Sequence, residues 1–149
     1  MPRLIRLLPL VVIAVIAAGC TPSDQPEALR QGRSTYGEVC SVCHGARGEG
    51  ASGPALEKVI DTWPRCSDQV EWIALGSEGW RNQYGETYGT PGKQISGGMP
   101  AHSDQLTLEQ TRRVAAFERV EYGGLEPDAA LAQCEVMSQD VIGLGREGG

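Results

Sequence analysis

The stretch EVCSVCHGARGEG, Glu38–Gly50, sets two cysteines three positions apart, directly before a histidine, and follows them with closely spaced glycines. Few chemistries use two thiols and an imidazole at that spacing. A redox dithiol places its Cys-X-X-Cys at the start of a helix that follows a strand. Here the preceding EALRQGRSTYGEV shows no strand alternation; Leu29, Gly32, Tyr36 and Val39 or Cys40 fall along one helical face. The pair therefore sits at a helix end, where no N-terminal dipole lowers a thiol pKa. A structural zinc site takes four ligands, commonly from two such pairs. Only one pair is present, and Cys66 and Cys134 stand alone. A simple disulfide between Cys40 and Cys43 leaves His44 without a role.

Covalent c-type haem uses all three residues. Two thiols on one turn add to the two vinyl groups on one porphyrin edge, and a histidine immediately after the second reaches the iron. Gly45, Gly48 and Gly50 then let the chain turn closely around the haem edge. The expectation is one haem, bound by Cys40 and Cys43 and ligated by His44. For the sixth position the sequence offers Met99, in the glycine-proline loop SGGMPAH, with His102 as its rival. Methionine in a helical stripe is usually packing; this one lies in a stiff loop, and His/Met is a regular ligand pair of cytochromes c.

From about Glu27 to Gly124 the chain resembles the class I monohaem cytochromes c, with CSVCH, GPAL at Gly53–Leu56 and GGMP at Gly97–Pro100 in that family's order. The resemblance implies an all-α cytochrome c fold, three or more helices wrapped around a covalent haem. It implies that the Pro54 carbonyl accepts a hydrogen bond from the His44 ring. It also implies that Gly32 and Tyr36 of the first helix cross the last helix near Phe117.

The helices are partly legible on their own. LTLEQTRRVAAFERVEYGG offers Thr107 as N-cap, Gln110 completing a capping box, Gly123 as the stop, and Val114, Phe117 and Val120 on one apolar face. A further helix is expected over Asp68–Leu75, capped by Ser67, with Val70, Ile73 and Ala74 inward. Trp80, Arg81, Tyr84 and Tyr88 lie in what reads as a donor-rich loop from Trp80 to Lys93, either solvated or serving haem propionates. After Gly124 comes a short helical extension starting near Asp128, with Leu131, Cys134 and Met137 on one side, followed by a tail, GREGG. Only eight aromatic side chains and twenty glycines make a thin core for about 100 residues, a deficit that a large apolar cofactor fills.

The N-terminus reads as an export signal over residues 1–19: Arg3 and Arg6, an apolar run Leu7–Val15, then Ala17, Ala18 and Gly19 before Cys20. The run is short for a bilayer span of about 20 residues, although an uncleaved anchor is the alternative. AAGC resembles a bacterial lipoprotein lipobox, departing from it at Ala17, where that family usually has leucine; an ordinary signal-peptidase cut after Gly19 fits the same letters, since Ala17 and Gly19 are both small. Lipidation of Cys20 also removes an odd thiol from an exported chain. Residues 20–26 then form a tether, 27–124 the cytochrome domain and 125–149 the extension. With Cys20 lipidated and Cys40 and Cys43 on haem, Cys66 and Cys134 remain, and a disulfide between them is expected in an oxidising compartment.

Net charge is −6, and about −8 without Arg3 and Arg6. An acidic chain argues against nucleic-acid binding and favours redox partners with a basic docking face. With His102 the only histidine besides His44, no acid–base constellation is visible and no small-molecule substrate is expected. The functional expectation is a lipid-anchored, exported single-electron carrier rather than an enzyme. The alternative is a haem subunit of an oxidoreductase complex, or a haem protein binding a gas or peroxide.

Overall fold

In the computed structural model, residues 25–135 are described; the leader, Cys20, Met137 and the final GREGG lie outside them. Helix α1, Glu27–Thr35, buries Leu29 and Gly32. It passes into one π-helical turn, Tyr36–Cys40, and then α2, Ser41–His44. The π turn adds a residue to the helical repeat and carries both Tyr36 and Cys40 inward. After a loop come α3, Val59–Thr62, and α4, Cys66–Tyr84. A two-stranded antiparallel hairpin, β1 Thr87–Tyr88 with β2 Lys93–Gln94, pairs Thr87 with Gln94 and Tyr88 with Lys93. Helices α5, Leu108–Glu121, and α6, Pro127–Glu135, complete the described chain. The fold is all-α apart from the hairpin.

Helices α1 and α5 cross where Gly32 lies against the Arg113 carbonyl and the Phe117 Cβ; a methyl group on Gly32 would overlap both. The crossing is where the resemblance placed it, with Tyr36 and Phe117 rings 5.6 Å apart. Thr107 caps α5 as expected: its Oγ1 accepts from Gln110 N at 3.2 Å, while Gln110 Oε1 accepts from Thr107 N at 2.9 Å. The helix ends at Glu121, and the residue at positive φ beyond it is Gly124, not the expected Gly123. Gly123 instead makes room for Ile60.

Helix α4 departs most from expectation. It starts at Cys66 with Arg65 as an extended N-cap that makes no side-chain capping bond, so Ser67 lies inside the helix and donates to Asp68 Oδ1 at 3.0 Å. It does not stop at Leu75 but breaks at Gly76 (φ 63°, ψ −175°) and resumes to Tyr84, absorbing Trp80, Arg81 and Tyr84 from the expected loop. The tail helix α6 packs on α5, and Cys134 is bonded to Cys66 at the start of α4, as expected from the cysteines left over.

The eight aromatics divide into two clusters. Tyr36, Phe117 and Tyr122 meet between α1 and α5. Trp63, Trp72, Trp80, Tyr84 and Tyr88 pack with centroids 4.5–5.8 Å apart, Trp72 stacking on Tyr88 at 4.6 Å. Trp72 touches both apolar cores, so the few large side chains are concentrated rather than spread. Among the described residues no helix is long and apolar enough to cross a membrane.

Candidate functional site

Cys40 ends the π turn and is buried, while Cys43 and His44 close α2, half-buried. The exposed carbonyls at this helix end are taken by the loop that follows. Gly45 N donates to Ser41 O at 2.9 Å, Gly53 N to Cys43 O at 2.8 Å and Gly50 N to His44 O at 2.7 Å. Tyr36 adds a side-chain clamp, its hydroxyl donating to Gly45 O at 2.6 Å. These bonds fold the loop back under the histidine. Gly53 lies so close that a Cβ there would stand 3.2 Å from His44 Cε1. One residue on, the Pro54 carbonyl is 2.8 Å from His44 Nδ1. With Nδ1–H donated there, the imidazole keeps its Nε2 lone pair for a ligand.

Cys40 and Cys43 are both free thiols. Burial, with a contribution from the Glu118 charge, pushes the Cys40 thiol far above the ordinary cysteine range. A thiol that resists ionisation is a poor redox nucleophile, and the helix end supplies no compensating dipole. Among the described residues no group of three or more His, Cys, Asp and Glu side chains is placed to hold a metal ion.

Met99 packs against the same apolar core that contains Cys40, as Leu56 and Trp72 also do. Its loop is held by the break in α4. Ser77 N, which would otherwise bond to Ile73 within the helix, donates to Met99 O at 2.8 Å, and Met99 N donates to Ser77 Oγ at 2.8 Å. The carbonyls released by the break are taken up by the loop: His102 N donates to Ile73 O at 3.2 Å and Ser103 N to Ala74 O at 3.3 Å. Gly76 and Ser77 thus seat the methionine. Sequence reading missed both; the only signal was an isolated glycine inside a helical pattern. His102, the rival ligand, is 8% exposed, and its Nδ1 has no hydrogen-bond partner. Burial lowers its pKa, so the ring is neutral near pH 7.

Three of the four loop donors are committed elsewhere, and Tyr88 is held by its ring against Trp63 and Trp72. Trp80 Nε1 donates to Thr87 O at 2.9 Å, Arg81 Nε pairs with Glu86 at 3.0 Å, and the Tyr84 hydroxyl donates to Glu71 at 2.5 Å. Sequence reading also missed two buried charges on α5. Arg119 is fully buried and donates to Trp63 O, Pro64 O, Gln69 Oε1 and Gln133 Oε1. Glu118 accepts from Gln69 Nε2 at 2.8 Å.

Residues 27–117 match the family described as cytochrome c oxidase, cbb3-type, subunit III. The chain belongs to this cytochrome c family. Among curated relatives, it is 39% identical over 93 residues to the cbb3-type cytochrome c oxidase subunit CcoP of Azospirillum sp. (strain B510), a match covering 60% of this chain and 29% of that protein. It is 29% identical over 106 residues to cytochrome c-L of Methylorubrum extorquens, covering 71% and 46%. The chain therefore spans less than half the length of either relative. No solved structure matches it significantly.

The residues of this cytochrome fit a c-type haem. Two unbonded cysteines end a helix, the adjacent imidazole is fixed through Nδ1, and a half-buried thioether enters the same core on a pinned loop. Such a group, when bound, supplies an iron that changes oxidation state by one electron, and Cys40, Cys43, His44 and Met99 are the residues that would hold it.

Proposed function

We propose that this cytochrome is a single-electron carrier with one haem, attached through Cys40 and Cys43 and ligated by His44 Nε2 and Met99 Sδ, with the Pro54 carbonyl orienting the imidazole. The observation that carries this reading is the double bond pattern between Met99 and Ser77, main chain to main chain and main chain to hydroxyl. A thioether on a loop held at both its N–H and its C=O favours a closed, six-coordinate iron, suited to outer-sphere electron transfer. A gas- or peroxide-binding site needs a ligand that leaves. The acidic surface supports redox protein partners with a basic docking face, and neither nucleic acid nor a small-molecule substrate enters this reading. The leader and Cys20 support an exported chain, lipid-anchored at the outer face of the cytoplasmic membrane.

The test uses the intact holoprotein. After acid organic extraction the colour should remain with the polypeptide, and mass should give one haem per chain. The ferric protein should show the weak far-red absorption of sulfur-ligated haem. Met99→Ala should abolish it and lower the potential, and His102→Ala should leave it. Cleanly extracted haem, or loss of the band only in the His102 variant, overturns the assignment. A second reading, a haem subunit of an oxidase complex, is supported by the family match and by the CcoP relative. Co-purification with a membrane oxidase in mild detergent selects it; a freely exchanging holoprotein selects the carrier.

A further inference from the structure

The side of the site behind Cys40 holds a carboxylic acid for which single-electron transfer has no evident use. Glu118 lies in the last turn of α5, with its residue only 6% exposed. Its one described hydrogen bond comes from Gln69 Nε2 of α4, at 2.8 Å. Its neighbour in sequence, Arg119, does not pair with it. That guanidinium is turned to Trp63 O, Pro64 O and Gln133 Oε1, and the same Gln69 accepts from it through Oε1 at 3.0 Å. Gln69 therefore stands between the two buried side chains and is the one described side-chain partner of the carboxyl.

The charge of Glu118 is felt on the other side. Tyr36 of the π turn and Tyr122 just beyond α5 pack on Phe117, the residue before Glu118, in the core that also holds Cys40, and the carboxylate makes all three groups harder to ionise. Arg33 of α1, over the Phe117 ring at 5.4 Å and paired with Glu121 at the surface, is the remaining cation nearby. Gln69 of α4 is neutral, and on the α6 side Gln133 serves Arg119. Among the described residues no cation forms an ion pair with the Glu118 carboxyl, whose hydrogen-bond partner is the neutral Gln69.

We propose that Glu118 is a redox-linked proton-binding site, taking up one proton when the haem carried by Cys40 is reduced and releasing it on oxidation. The proposal rests on the attachment of haem at Cys40 set out above. The balance is simple. A reduced one-electron redox protein gives one electron to ferric iron, and the Glu118 carboxylate takes one proton from solvent, forming the neutral acid. Oxidation by an acceptor of the same class returns both. The coupling is Coulombic: a buried anion stabilises the ferric state, and loss of the ferric charge makes that anion harder to keep. Burial already holds this carboxyl near neutrality, pushed up to about 7, so the exchange falls in an accessible pH range.

The experiment is a spectroelectrochemical titration of the full-length holoprotein between pH 5 and pH 9. The potential should fall as pH rises through a window near 7, bounded by the two pKa values of Glu118. The slope there should stay within the one-electron limit of about 59 mV for a tenfold change in proton concentration. E118Q should be flat across the window, at or above the wild-type acid plateau. Gln69→Leu, which removes a hydrogen bond favouring the charged carboxyl, should keep the slope and move it to higher pH. Reduced-minus-oxidised infrared spectra should show a protonated-carboxyl band in the wild type that E118Q lacks. A flat wild type, or a slope that survives in E118Q, overturns the proposal. Haem that extracts from the denatured chain overturns the attachment instead, so the two failures are distinguishable.

Discussion

Replacing Gly76 with alanine tests how the break in α4 builds the methionine side of the site. At φ 63° and ψ −175° the residue occupies backbone space that is essentially restricted to glycine, at a cost of about 1–3 kcal/mol for any other residue. A Cβ there would also lie 2.5 Å from Ala101 N, 2.5 Å from Pro100 C and 2.6 Å from Met99 O. All three are main-chain atoms that no rotamer change can move. Relief requires the loop to retreat, which strains the two Met99–Ser77 bonds and the two bonds to Ile73 O and Ala74 O. At about 0.5–1.5 kcal/mol for each bond, loss of the Met99–Ser77 pair adds about 2 kcal/mol, for a total of about 3–5 kcal/mol. Alanine also favours a continuous helix at this position, which works in the same direction. Guanidinium unfolding of the holoprotein should therefore show a markedly lower midpoint, and the ferric far-red band should weaken or vanish while the haem stays attached. Gly79→Ala on the same helix is the control, since its Cβ would meet only the Leu75 side chain, at 3.1 Å nearest. A Gly76→Ala protein that keeps the band, with stability within about 0.5 kcal/mol of the parent, refutes the idea that the break seats the loop.

Gly32→Ala drives a methyl group into the Arg113 carbonyl and the Phe117 Cβ, so thermal melts should show a loss of about 1–3 kcal/mol from overpacking, whereas Gly37→Ala, with open space at its Cβ, should not. Replacing Cys66 and Cys134 together with serine opens a loop of sequence separation 68; urea unfolding should register a loss of up to about 4 kcal/mol. Glu118 makes stability fall with pH: its folded pKa, about 7, lies above the unfolded carboxylate value of about 4.3, so the native state keeps a proton that the unfolded chain has released. That contribution is complete below the unfolded value and is lost as pH rises to 7, about 3–4 kcal/mol at most. Relative to the parent, E118Q should gain stability between pH 4.5 and pH 8 in urea titrations, and a constant difference refutes the sign.

The parts of this structure that sequence made legible are those whose chemistry is local. CSVCH states its own spacing rule, and the capping box of Thr107 and Gln110 closes within four residues. The π turn did not disturb the reading of the first helix, because Tyr36 and Cys40 stay on its buried side. The Cys66–Cys134 bond followed from counting thiols. What was misread depended on distant partners. Trp80, Arg81 and Tyr84 looked like loop donors because Gly76 interrupts the periodicity, and only the Met99 loop, 23 residues downstream, explains why a helix resumes after it. Ser67 has the composition of a cap, but the chain enters α4 one residue earlier, at the disulfide. Glu118 and Arg119 carry charge, which a helical pattern assigns to solvent. Their burial rests on Gln69, Trp63 O and Pro64 O, some 49–56 residues away in sequence.

The bond between Cys66 and Cys134 makes a closed ring of the chain that contains α4, the hairpin, the methionine loop and α5. His44 and the two haem-bearing thiols proposed for the site lie outside that ring, so the two proposed axial ligands belong to different covalent segments. When the Met99 loop detaches, the ring limits how far the thioether can travel, and Met99 stays at a high effective concentration beside the iron. Reattachment is then an intramolecular event that competes well against dilute external ligands. With that proposed ligation, the tail helix, remote from His44 in sequence, would help to decide what the iron binds.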